Sequence, residues 1–280
     1  MKSRKRWQIF ILLAVSASLL AGCSRNPEVK KKNYFDKGVS YFQAGKYREA
    51  AIEYQNAIQI DPQFAQAHYG LAQSFLKLSE WSRAFAELMR TAELDPNNVK
   101  AQLDLGNLFF ASGKFLDARA RAENSLKIDS RSVEAQVLLS TVDAALGDLA
   151  KAHSEAQQAI QMDPNRAASY LNLALVQQRE NDLPSAEQNF LKARSLDPKF
   201  MPAMMALAHF YERQKRWPEA EKEFQAAIVV EPLSALPRAA LAGLYLMQDK
   251  KDAAEQTMKD AKVALKDFPL GYRMLGDFYI

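Results

Sequence analysis

A 34-residue period runs through most of this 280-residue chain and leaves few folds open to it. Pro62, Pro96, Pro164, Pro198 and Pro232 share one register of that period, with Ser130 in the skipped place. The residues ending at the proline read Ile-Asp-Pro, Leu-Asp-Pro, Met-Asp-Pro and Leu-Asp-Pro. Ala50, Ala84, Ala118, Ala152, Ala186, Ala220 and Ala254 form a second series, and Tyr47, Trp81, Phe115, Leu149, Leu183 and Trp217 a third, three residues ahead of the first six alanines. Several series locked to one period mark stacked supersecondary units, none of which buries its apolar faces alone.

Apolar residues within each unit recur at helical spacing, which predicts two antiparallel helices of three to four turns. A small residue of the first helix and the alanine of the second are expected to face each other where the helices cross most closely. The aromatic ahead of the alanine is expected to fill space beside the turn within the unit. The proline ends the unit, because its missing N–H and its ring stop the second helix. Sparse glycine (10) and proline (11) agree with long regular elements.

These series resemble the tetratricopeptide repeat from about Lys31 to the end of the chain. The first-helix pattern of that family is carried by Tyr34, Gly38 and Tyr41 in repeat one and by Leu105, Gly106 and Phe109 in repeat three. Leu207, Ala208 and Tyr211 carry it in repeat six, and Leu241, Ala242 and Tyr245 in repeat seven. The resemblance implies an all-α, right-handed superhelical solenoid of antiparallel helix pairs over 33–280. Its seven repeats would lie at about 31–64, 65–98, 99–132, 133–166, 167–200, 201–234 and 235–268, with a partial eighth at 269–280. Asp143 and Gln177 replace the first-helix aromatic in repeats four and five, so the middle of the array is expected to be looser. Lys251 replaces the turn aromatic of repeat seven, which reads as three residues too long, its terminal proline displaced to Pro269. Leu275, Gly276 and Tyr279 then open another first helix, and the expectation is a fragment of a longer protein. The alternative is a terminus that docks or dimerises through that face.

The first residues follow another logic. Lys2, Arg4, Lys5 and Arg6 account for the whole net charge of +4, so the remainder is balanced and carries no nucleic-acid footprint. They precede an apolar run from Trp7 to Leu20, well short of the ~20 residues that a spanning helix needs. Leu20-Ala21-Gly22-Cys23 resembles the lipobox of bacterial lipoproteins. That resemblance implies a signal peptide over 1–22, cleavage before Cys23, and acylation of its thiol and new amino terminus. Two or more acyl chains anchor stably where one does not. Ser24 favours the outer membrane, at its periplasmic face, by enterobacteria-like sorting. Residues 23–32, polar and lysine-rich, read as a tether.

Nothing in the chain has the spacing of a catalytic or metal centre. His68, His153 and His209 stand in three different repeats without ligand-spaced companions, so neither a metal nor a cofactor is expected. No phosphate loop or nucleophile elbow is present. The resemblance instead places function on the concave surface, lined by first helices. The family's ligand-facing positions carry over to Phe35 and Val39, Tyr69 and Gln73, Leu103 and Asn107, Val137 and Thr141, Leu171 and Leu175, and Met205 and His209. Asn172 joins them as a polar candidate. Phe35 and Val39 occupy the places where chaperone-binding members clamp a peptide carboxylate with lysine and asparagine, so that clamp is missing. The stripe suits an extended or helical peptide, with about half of these residues expected to line an open groove.

Three readings follow. The chain resembles lipid-anchored repeat proteins of exopolysaccharide and exosortase-linked export, which implies a non-catalytic scaffold recruiting protein partners in the bacterial envelope. It also resembles short pilotin-type lipoproteins that assist secretin or pilus assembly. A third reading makes it the recognition arm of a larger enzyme. The register itself is open to a direct test. Ala186→Leu should overpack the repeat-five hairpin and lower stability by ~1–3 kcal/mol in thermal melts, whereas an unchanged melt would place the register elsewhere.

Overall fold

A computed structural model describes residues 26–266 and 269–279, and every regular element among them is an α-helix. The signal segment and Cys23 lie outside the described residues. First helices are α1 (Pro27–Gln43), α3 (Ala65–Lys77), α5 (Val99–Ala111), α7 (Val133–Leu146), α9 (Ala167–Arg179), α11 (Met201–Arg213) and α13 (Leu236–Met247). Second helices are α2 (Tyr47–Ile60), α4 (Trp81–Leu94), α6 (Phe115–Ile128), α8 (Leu149–Met162), α10 (Leu183–Leu196), α12 (Trp217–Val230) and α14 (Lys251–Ala264). An eighth first helix, α15, spans Pro269–Phe278. This is the all-α array of helix pairs that the period implies. The described residues form two compact units that divide between Leu108 and Phe109, each described by itself below.

Local chemistry sets the helix ends. Asp61, Asp129, Asp163 and Asp197 cap second helices in extended conformation. Their carboxylates accept from the backbone N–H of Gln63, Arg131, Asn165 and Lys199 at 2.9–3.0 Å. These Asx turns bend the chain into the next helix, so Ser130 is tolerated where others have proline because Asp129 already makes the turn. Between first and second helices every repeat places one residue in the left-handed region. Glycine meets that demand at Gly45, Gly113 and Gly147, but Ser79, Asn181, Lys215 and Asp249 occupy the same place at φ 57–65°. A side chain in that conformation is strained by ~1–2 kcal/mol.

All seven alanines of the second-helix series are without exposed surface. Four residues on, Tyr54, Leu88, Ala122, Ala156, Phe190, Phe224 and Met258 are buried too. The small first-helix residue of repeat one faces this series rather than the alanine. A Cβ on Gly38 would lie 2.7 Å from the Tyr54 ring, and one on Gly70, in the next repeat, 2.5 Å from it. The Tyr54 ring is therefore held between two glycines on α1 and α3. In the second unit Phe190, Phe210 and Phe224 are fully buried with Met204, Leu207 and Leu244, and the Phe190 and Phe210 rings pack at 5.2 Å.

Four expectations change in detail. Residues 27–32 of the expected tether belong to α1, because the Asn26 side chain accepts from Glu28 N–H at 3.0 Å and Pro27 suits a first turn. Lys31 then pairs with Asp61 at 2.8 Å. Pro269 is not a displaced terminal proline; it opens α15, 34 residues after the repeat boundary at 235, where a missing N–H costs nothing. Among the turn aromatics, Tyr47 and Phe115 pack on Phe42 and Phe110 at 5.3 and 5.4 Å, but Trp81 is 57% exposed. The repeat-four irregularity is polar rather than empty. Asp143 has no exposed surface, and Arg119 of α6 approaches its carboxylate at 3.3 Å. Burial, then the Asp143 charge, push the neighbouring Glu155 carboxyl of α8 up to about 7. In repeat five the Asn189 amide donates to Gln177 at 2.7 Å.

Two outcomes are expected. Gly70→Ala should destabilise the native chain, because the added methyl strikes a ring that cannot retreat. With Tyr54→Leu the same change should stabilise, by up to ~1 kcal/mol, through helix propensity alone. Additive effects in that double-mutant cycle would dissociate the ring from the glycines. The raised Glu155 carboxyl favours folding in its protonated form. Its contribution is complete below the ordinary value of 4.5 and is lost as pH rises through about 7. Glu155→Gln should therefore melt higher than the native chain at alkaline pH, and the difference should close on acidification.

Candidate functional site

Side chains of the first helices that are not spent on packing line depressions in each unit. In the first unit Phe35, Val39 and Phe42 from α1 meet Tyr69 and Gln73 from α3 over a floor formed by Tyr54 and Gly70. The depression encloses about 310 Å³, near the lower end for small-ligand pockets. Its apolar wall exists because α1 presents Phe35 and Val39 on one helical face, four residues apart.

A carboxylate that sequence reasoning passed over organises the polar side. Asp104 of α5 accepts from the Tyr69 hydroxyl at 3.0 Å and from the Gln73 amide at 2.6 Å, both on Oδ2. Burial pushes its carboxyl above the ordinary carboxylate range, against the two hydrogen bonds, which favour the charged form. Burial and the Asp104 charge likewise raise the Tyr69 hydroxyl. Tyr69 and Gln73 are therefore held in place before any ligand arrives, and a carboxylate stands behind them.

In the second unit α7, α9 and α11 surround a depression of about 400 Å³ lined by Thr141, Asn172, Leu175, Gln178, Arg179 and Arg213. The Asn172 amide donates to Thr141 Oγ1 at 2.8 Å, while its own Oδ1 is buried without a hydrogen-bond partner among the described residues. Leu175 stands 42% exposed at the rim.

The positions carried over from the family thus separate. Phe35, Val39, Tyr69 and Gln73 come together in one unit, and Thr141, Asn172 and Leu175 in the other. Asn107 is exposed on α5 without being drawn into either depression; Leu103 and Val137 are half-buried. Leu171 packs against the core of the second unit, and Met205 belongs to that core at 8% exposure. Met205 therefore offers little surface to a ligand. His209 is exposed, with Nδ1 2.6 Å from Glu212 and its ring against Phe224. Asp104, Arg179 and Arg213 were missed. Arg179 and Arg213 did leave a signal, since they lie 34 residues apart in one register.

Among the described residues no group of His, Cys, Asp or Glu is placed to hold a metal. His68 lies between Glu87 and the Pro62 carbonyl at 2.6 and 3.1 Å, and His153 beside Glu180 at 2.8 Å.

Stacked helix pairs with polar groups on one open face define an interaction scaffold. Family profiles described as TPR repeat and Tetratricopeptide repeat match residues 38–79, and 103–167, 138–199 and 171–235, respectively. Together they span more than half of the chain, which belongs to the tetratricopeptide repeat family. No curated protein matches it. Among solved structures, a tetratricopeptide repeat protein from Parabacteroides merdae is 13% identical with a TM-score of 0.68, over 90% of this chain and 99% of that one. The Cut9–Hcn1 hetero-tetramer of the APC/C is 15% identical with a TM-score of 0.65, over 86% of this chain. This chain spans about half the length of that relative, 48%. MamA from Desulfovibrio magneticus is 20% identical with a TM-score of 0.54, over 60% of this chain and 94% of that one. At such identities the likeness is one of fold.

Proposed function

We propose that this chain is a lipid-tethered, non-catalytic scaffold of the bacterial cell envelope that holds partner proteins by a peptide segment laid along its first-helix face, in export or envelope assembly. The observation that carries the binding part is the pair of depressions, each joining apolar walls to polar side chains already held in place. Tyr69 and Gln73 on Asp104, and Asn172 on Thr141, are such groups. Preorganisation of this kind lowers the ordering cost of binding. The apolar walls accept side chains of an extended segment, and the amides satisfy its backbone.

The tethering part rests on the order of Lys2 to Arg6, the apolar run to Leu20, and Leu20-Ala21-Gly22-Cys23. A partner captured by such a scaffold is confined to a membrane surface, which raises its effective concentration for later steps. The export assignment follows the resemblance to exosortase-linked repeat lipoproteins.

Metabolic labelling with an alkyne fatty acid, followed by crosslinking and mass spectrometry in the source bacterium, tests both parts. The native chain should carry the label, fractionate with membranes and crosslink to envelope or export proteins. Cys23→Ser should lose the label and those partners together. Absence of label on the native chain would refute the tether, and identical partners for both forms would show that the tether does not organise binding.

A further inference from the structure

Arg179 and Arg213 occupy the same place in consecutive repeats, each in the last turn of its first helix. One arginine there is explained by the helix dipole. Two that flank the same depression call for more. Both are exposed, and among the described residues neither pairs with a carboxylate, although the carboxylates beside them are taken. Glu180 is held by His153 and Glu212 by His209. No acidic residue lines the depression.

Asn172 lines the depression that the two guanidinium groups flank, 6% exposed and fixed by the hydrogen bond its amide donates to Thr141 Oγ1. The wall between the arginines is therefore polar and preformed.

The geometry points to an extended segment of a partner protein carrying an acidic side chain as the occupant of this depression. The carboxylate is held by Arg179 and Arg213, and an apolar side chain of the segment covers Leu175, which stands exposed at the rim. Guanidinium groups match carboxylate oxygens in paired, charge-assisted hydrogen bonds. The inference rests on the reading above that the first-helix face binds peptide, and it names the chemistry of the segment.

Fluorescence anisotropy on the full chain tests it, with labelled, C-terminally amidated peptides that alternate leucine with glutamate, glutamine or lysine. A glutamine peptide with a free C-terminal carboxylate separates side-chain from terminal recognition. The glutamate peptide should bind about tenfold or more tightly than its glutamine counterpart, with an advantage that shrinks as salt is raised. Arg179→Ala and Arg213→Ala should each remove much of that advantage, and the pair all of it, with unchanged melting because both side chains are exposed. Arg→Lys at both places should retain part. Equal binding of glutamate and glutamine peptides, preference for the free carboxylate, or failure of the glutamate peptide to bind would each overturn the inference. Equal binding that Leu175→Asp weakens would do so while leaving the peptide-binding reading intact.

Discussion

Close approach of two helices at an alanine is the contact on which the rest of this structure depends. Ala50 and its six counterparts have no exposed surface, and each lies on a second helix. A larger side chain there would push the pair apart, and the neighbouring repeat would lose its seat. In five of the seven repeats a larger group four residues on fills what remains, most tightly at Tyr54 between Gly38 and Gly70. Because each repeat is completed by the next, overpacking at one alanine is felt by two hairpins.

That packing uses one side of each first helix and leaves another free. The free side is where the repeats stop resembling one another. In the first unit it carries an apolar wall and a buried-side carboxylate, Asp104, that orients a tyrosine and a glutamine. In the second it carries the guanidinium groups of Arg179 and Arg213, which among the described residues pair with no carboxylate, beside an amide fixed on Thr141. The two depressions thus offer different chemistry on the same scaffold, as expected where the repeat dictates backbone and small core residues but leaves the open face unconstrained.

The all-α array of helix pairs was legible in the sequence, because proline, aspartate and alanine answer geometric demands that recur. Other features were less so. Four of the seven left-handed turn positions hold Ser79, Asn181, Lys215 and Asp249 rather than glycine, so the series leaves no mark in composition. The Tyr54 contact involves three helices and cannot be seen from either glycine alone. Leu171 and Met205 hold equivalent groove positions one repeat apart, yet one is half-buried and the other is core. What separates them is the bulk of neighbouring repeats, which no single register encodes. Asp143 read as a gap in an aromatic series, whereas a buried polar cluster with Arg119 and Glu155 occupies it.

The central claim is that partners are held on the first-helix face and not on the outer helices. Site-specific photo-crosslinking tests it most directly, with the crosslinker placed at Leu175 on α9 or at Leu191 on α10, two leucines of one repeat with similar exposure, 42% and 46%. Partner capture from Leu175 and little from Leu191 is the predicted result. Equal capture from both, or capture from Leu191 alone, would contradict the account.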